Sequence, residues 1–238
     1  MKNKLVQSLG LVSAVFMIVG CGGESNLSGT EELATAIELP ANVQAAIDGE
    51  SSDLTEAQEL KDAITHMYSE EGLAHDLYLA LYKEQAVIQL QNIATKSEVK
   101  HTEAVNQVAQ KYDLNMTQYP DTDHPYSIEG IGNGTYPVAP VQNLYTTLYE
   151  KGISSRQNAL EVGCTVEVVD IDDLNHYITL AKEANATDIL TVFNFLRNGS
   201  YTHYWAFNDA LVGMGVEEGC CQMAKDLGHT ACPTYPRN

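Results

Sequence analysis

Four stretches of this chain space apolar residues alternately three and four apart, and each interrupts its apolar face with an ionisable side chain. That spacing is one face of a helix. In the first stretch Leu60, Ile64, Met67, Ala74, Tyr78 and Leu81 share a face with Glu71. In the second, Leu90, Ala94, Val105, Val108 and Tyr112 share one with Glu98 and His101. The third sets Glu167 among Leu160, Cys164, Ile171, Leu174, Ile178 and Ala181. The fourth sets His203 among Ile189, Phe193, Leu196, Ser200, Phe207 and Ala210. A buried carboxylate without a partner costs several kcal/mol. One such residue reads as a rim position or a hydrogen-bonded core group. One on every helix points to a cation where the four faces meet.

The punctuation between the stretches sets the architecture. Thr55-x-x-Gln58 and Ser154-x-x-Gln157 read as capping boxes that start the first and third helices, and the fourth starts near Asp188. Between the second and third, residues 113–137 hold Pro120, Pro125, Pro137 and several Gly, which break any period. A short amphipathic stretch, Val141 to Tyr149, follows and ends at Gly152. No strand run competes; Val166 to Val169 is apolar enough, but the helical period around it is stronger. The expected fold is all-α. Its order, helix, helix, long crossover, helix, helix, is the connectivity of a ferritin-like four-helix bundle.

Glu98-x-x-His101 puts a carboxylate and an imidazole one turn apart on one face, a pair that di-metal carboxylate bundles use with single Glu residues from other helices. Oxygen and imidazole donors without thiolate suit iron or manganese, with zinc also admitted. Asp121-x-x-His124, Asp173-x-x-His176 and Asp226-x-x-His229 have the same spacing but are read as carrying no metal. At about 100° per residue His176 points away from Glu167, and His66 lies off its stripe. His75, about 40° from Glu71, is open between ligand and packing.

The ends of the chain read differently. Met1 to Lys4 is a short basic start, and Leu5 to Val19 is a largely apolar run of roughly 15 residues, short for a membrane span. Ile18-Val19-Gly20-Cys21 follows and resembles a bacterial lipobox, in which Cys21 becomes the lipid-bearing first mature residue. Residues 1–20 are therefore expected to be a lipoprotein signal peptide and residues 21–53 an acidic flexible tether. The bundle then spans 54–213, and 214–238 is a Cys-containing tail. The resemblance implies a bacterial cell-envelope protein anchored in lipid through Cys21. Gly22, rather than Asp, after Cys21 favours the outer membrane, facing the periplasm or the exterior. Cys164, Cys220, Cys221 and Cys232 remain, an even number suited to one or two disulfides in an oxidising compartment, with a pairing that cannot be read. A zinc site from Cys220, Cys221, His229 and Cys232 is the weaker alternative. The formal charge is −19 from 13 basic and 32 acidic residues, which argues against nucleic acid as a partner.

Longer motifs extend the helical pattern. Glu70-Glu71-Gly72-Leu73-Ala74-His75-Asp76-Leu77-Tyr78 is followed by Asn92-Ile93-Ala94-x-x-Ser97-Glu98-x-x-His101. Then come Ala159-Leu160-x-Val162-Gly163-x-x-x-Glu167-x-x-Asp170-Ile171-x-Asp173-Leu174 and Gly199-Ser200-x-x-His203-x-x-Ala206-Phe207. Together, over about residues 56–212, they resemble a rubrerythrin-related ferritin-like family catalogued in bacteria and archaea as a domain of unknown function. The resemblance implies a di-metal motif at Glu71, Glu98, His101, Glu167 and His203. It departs from the wider pattern at Ser200, where a Glu is expected, and Asp170, one turn after Glu167, is the candidate replacement. The reading that follows is a di-iron or di-manganese carboxylate protein, with Glu98 and Glu167 bridging and Glu71 terminal. It would act as a ferroxidase or reduce peroxide or dioxygen. No paired CxxC motif is present, so an outside electron donor is expected, and a homodimer is admitted. The alternative is a non-catalytic metal-binding or scaffold lipoprotein with a structural metal.

Overall fold

The structure is a computed structural model that describes residues 37–114, 134, 136 and 139–237. The segment expected as a signal, Cys21, the first part of the stretch expected as a tether and most of the crossover, with Asp121 and His124, lie outside the described residues. The described elements are all helical: α1 (Ala41–Asp48), α2 (Gln58–Gln85), α3 (Ile88–Ile93), α4 (Val99–Lys111), α5 (Ala139–Gly152), α6 (Arg156–Glu183), α7 (Thr187–Gly213) and α8 (Cys221–Asp226). A single π turn, Ala94–Glu98, joins α3 to α4 into one rod. No described helix is long and apolar enough to cross a membrane.

Local chemistry explains the ends, with two corrections to the capping expectations. Thr55 does not cap α2. Its N–H and hydroxyl both donate to Asp53 Oδ1 in a tight turn, and the helix begins three residues later at Gln58. Ser155, not Ser154, caps α6: its hydroxyl accepts the Asn158 N–H at 3.0 Å. Ser154 instead donates to the Lys151 carbonyl, closing the turn after α5. Ala86 ends α2 in the left-handed region at φ 50°, so the chain reverses within two residues and α3–α4 returns along α2.

The four apolar stripes all turn inward, and only their last members, Tyr112 and Ala210, are half-exposed. α6 packs along α7, and α2 packs on α4 and α6, so the ionisable residues of all four stripes end up buried. Where α6 passes α7 there is no room for a side chain at Gly163. A Cβ there would sit 2.7 Å from the Phe207 ring. α5 lies across α2 and α6 as the last part of the crossover. Asp76 anchors the segment before it, accepting the Tyr136 hydroxyl at 2.8 Å and the Gly134 N–H at 3.2 Å.

Both flanks of the four-helix region are folded. Residues 41–48, inside the stretch expected as a tether, form α1, which buries Val43 and Ile47 against α7 and α4. Asp188, at the start of α7, ties this end together. It accepts from Ser52 Oγ and Lys111 Nζ, each at 2.7 Å, and from the Tyr112 hydroxyl. The C-terminal cysteines form the disulfides Cys164–Cys220 and Cys221–Cys232, which removes the zinc alternative: these sulfurs are not available as thiolates. The first fastens the tail to the middle of α6, and Trp205 Nε1 donates to the Tyr235 carbonyl further along.

Two outcomes follow. Replacing Cys164 and Cys220 together by Ala opens a loop with a sequence separation of 56. By the chain-entropy relation this lowers unfolding free energy by about 4 kcal/mol, read as a lower denaturant midpoint. The Asp188 carboxyl opposes burial with the Lys111, Tyr112 and Ser52 hydrogen bonds, which hold its pKa below the ordinary value. Its contribution is therefore full above the unfolded-state value, near 4, and is lost as pH falls through the lower folded-state value. Asp188→Asn, which takes from Lys111 its carboxylate partner and leaves it the Ala46 and Glu50 carbonyls, should cost about 1–3 kcal/mol at pH 7. The gap to wild type should close at acid pH, as thermal unfolding across pH will show.

Candidate metal centre

The ionisable residues of the four stripes converge in one buried cluster. Ligand atoms of Glu71, Glu98 and His101 lie within 4.8 Å of one another, as do those of Glu98, Glu167 and His203. All five residues are buried. Glu98 belongs to both sets, so its carboxylate stands between the imidazoles: Oε2 is 3.2 Å from His101 Nδ1 and Oε1 is 3.0 Å from His203 Nδ1. Glu71 Oε2 meets His101 Nδ1 at 3.1 Å, and Glu167 Oε2 lies 3.3 Å from His203 Nδ1. Glu167 belongs to the second set only.

Backbone features place these groups. Glu98 ends the π turn, and such one-turn insertions are frequent at functional sites. The sequence reading, which took residues 90–112 as one uniform helix, did not contain it. His101 depends on Gly199 of α7: a Cβ there would lie 2.3 Å from His101 Nε2. The His101 ring stacks on His203 at 5.4 Å and meets the Phe195 edge at 5.2 Å. Tyr78 donates its hydroxyl to Glu167 Oε1 at 2.6 Å, an interaction the stripe pattern marked only as apolar.

Asp170 is buried beside the cluster but belongs to neither set. Its Oδ2 accepts the Ser200 hydroxyl, so the residue in the expected Glu position holds the residue expected to replace it. His75 is turned aside to Asp76, 3.0 Å away, and His176 reaches exposed Glu59. A third grouping went unrecognised in the sequence: His66, Glu70 and Asp173, half-buried at the outer side of α2 and α6. The i, i+4 spacing of His66 and Glu70 was its only local signal.

Burial and the crowding of like charges set the electrostatics of this cluster. Burial, then the charges of Asp170, Glu98 and Glu167, push the Glu71 carboxyl well above the ordinary carboxylate range. Burial and the neighbouring Glu70 and Glu167 do the same to Asp170, and burial raises Glu167. Glu98 goes the other way: burial opposes its charge, but His203 and His101 hold it well below the usual range. His203 rises to about 10 because Glu167 and Glu98 outweigh the burial that opposes its charge. Even so the hydrogen bonding is incomplete. Glu71 Oε1 and His203 Nδ1 are buried without a hydrogen-bond partner, although His203 Nδ1 is within ion-pair distance of two carboxylates. A ring nitrogen that close to carboxylates, yet misdirected for a hydrogen bond, suits a ligand whose partner is a cation between them.

A cavity of about 120 Å³ reaches this cluster from the α5 side. Leu73, Ala74, Leu144, Leu148, Val166 and Val169 are among its lining, and Glu70, Glu71, Glu98, Glu167 and Asp170 supply its carboxylates.

Comparisons with known proteins agree on a family. The model of an uncharacterized protein domain (DUF2202) matches residues 60–226, the span of α2 through α8. The chain is similar to the uncharacterized protein MJ0754 of Methanocaldococcus jannaschii, with 36% identity over 151 residues, 63% of this chain and 74% of that protein. It is also similar to the crystal structure of hypothetical protein MJ0754 from Methanococcus jannaschii, with a TM-score of 0.57 and 31% identity. That match covers 69% of this chain and 91% of the other. The chain thus belongs to the DUF2202 family of uncharacterized protein domains.

Proposed function

We propose that this chain is a ferritin-like four-helix di-metal carboxylate protein that binds iron or manganese and reduces peroxide or dioxygen. The observation that carries the reading is the pair of ligand sets sharing Glu98, one imidazole in each, buried where four helices meet. The donor set fits the group. Its nitrogen and oxygen ligands suit iron or manganese, and its incomplete hydrogen bonding and surplus of carboxylates both call for positive charge. An iron or manganese pair held there would supply the electrons for the reduction, and an outside donor would replace them.

The chain's own residues have definable parts in that chemistry. Glu71 with His101 would hold one ion, Glu167 with His203 the other, and Glu98 would bridge them. Burial raises the Glu71 carboxyl and the neighbouring carboxylates raise the imidazoles, so a bound cation would compete with protons there and loading is expected to weaken as pH falls. Tyr78 fixes the Glu167 Oε1 lone pair, leaving Oε2 to face the centre. Burial and Glu167 keep the Tyr78 phenol protonated far above its ordinary value, so it stays a donor. The apolar cavity wall limits water and admits a small neutral oxidant, while the carboxylates repel anions.

Residues 1–20 are proposed as an export signal and Cys21 as the lipid attachment point of an envelope protein. The two disulfides support an oxidising compartment. The structural-metal alternative draws on Ser200, whose hydroxyl ties up Asp170 where a further carboxylate ligand was expected.

The deciding measurement uses the full chain, loaded anaerobically with ferrous iron, freed of excess, and then given hydrogen peroxide. The expected result is iron bound at the buried cluster in two equivalents and a new near-ultraviolet absorption of oxidised iron, both lost in Glu98→Ala. A tightly bound zinc with no optical change would sink the redox reading and leave the structural metal. Gly199→Ala supplies a check on geometry. Its Cβ displaces His101, so iron affinity should fall at least about tenfold, as for perturbed ligand supports. Far-ultraviolet circular dichroism should stay helical, because Ala favours a helix.

A further inference from the structure

Among the described residues, one more group of side chains that could hold a metal ion stands together outside the buried centre. His66 and Glu70 lie one turn apart on α2, and Asp173 reaches them from α6. His66 Nε2 is 3.2 Å from Glu70 Oε1 and 3.6 Å from Asp173 Oδ2, and ligand atoms of all three residues fall within 4.8 Å of one another. The Tyr177 ring meets His66 edge-on at 6.1 Å and limits its rotation. Exposure is graded across the group: the side chain of Asp173 is 38% exposed, that of His66 22% and that of Glu70 19%.

Two further observations single out Glu70. Its Oε2 is fully buried and has no hydrogen-bond partner, an arrangement that costs free energy unless something positive meets it. Glu70 also lines the cavity that Glu71, Glu98, Glu167 and Asp170 line, so it borders both the outer group and the buried centre.

We propose that His66, Glu70 and Asp173 form a second divalent-cation site, which captures Mn²⁺ or Fe²⁺ from solvent and hands it through Glu70 to the buried centre. One imidazole and two carboxylates suit these ions and leave coordination positions for water, so the ion is exchangeable. Glu70 and Glu71 are consecutive on α2, with Asp170 facing the same cavity from α6, so the handover runs along carboxylates and never requires a bare ion against apolar wall. The handover, though not the outer site, rests on the two-metal reading of the buried centre.

The test is Mn²⁺ titration of the full chain followed by electron paramagnetic resonance, with His66→Asn and Asp173→Asn beside wild type and Glu98→Gln. The wild type should bind one equivalent beyond the two of the buried centre, in a weaker and faster class. Either outer variant should weaken that class about tenfold or more, as loss of a ligand or its support does. Filling of the buried centre is followed with Co²⁺ as the slow absorbance phase absent in Glu98→Gln, and should slow severalfold in both outer variants. An unchanged equivalent count in both outer variants overturns the site. Loss of the outer equivalent with unchanged slow filling overturns the handover. A single wild-type equivalent, lost in His66→Asn but kept in Glu98→Gln, supports the outer site and overturns the two-metal reading instead.

Discussion

The surplus of buried negative charge at the meeting of α2, the α3–α4 rod, α6 and α7 is the constraint on which the rest of this protein depends. Glu71, Glu98, Glu167 and Asp170 are buried together, with His101 and His203 among them. At several kcal/mol each, unpartnered carboxylates in such a place would together cost about as much as a domain's whole stability margin. Burial and neighbouring charge favour protons on Glu71 and on the imidazoles, while the two rings favour the anion at Glu98 between them. Any cation that enters exchanges with those protons, so metal affinity and proton release are two views of one equilibrium.

Close packing translates that electrostatic arrangement into geometry. His101 reaches the cluster because Gly199 offers no side chain, and α6 can press on α7 because Gly163 yields to the Phe207 ring. The π turn ends on Glu98 itself, the residue that both ligand sets share. Tyr78 and Ser200 then hold Glu167 and Asp170 from the second layer out. The cluster is thus over-determined by neighbours on every helix, which is what pre-organises a site for chemistry.

The flanking segments protect this arrangement at its ends. α1 and the Asp188 hydrogen bonds close one end, where α4 finishes and α7 begins. The Cys164–Cys220 disulfide ties the tail to α6 one turn before Glu167. α5 covers the flank where the cavity opens, with Leu144 and Leu148 at its lip. α5, the described end of the crossover, thereby forms part of the cavity wall rather than a passive connection.

Much of this was legible in the residues alone. A helix face repeats every 3.6 residues, so Glu71, Glu98, His101, Glu167 and His203 betray themselves as polar members of apolar stripes without any knowledge of their neighbours. The all-helical class follows from the same period. Other features depend on how one helix is rotated and staggered against the next, which no local period encodes. Those are the sharing of Glu98, the tie between Ser200 and Asp170, the pairing of the cysteines and the assembly of His66 and Glu70 with Asp173. In the sequence His66 lies off its stripe, and Asp173 stands in an Asp-x-x-His spacing read as carrying no metal. Only the packing of α2 beside α6 brings them within reach of one ion, because contacts between helices are set by the fit of their side chains and not by the sequence of either helix alone.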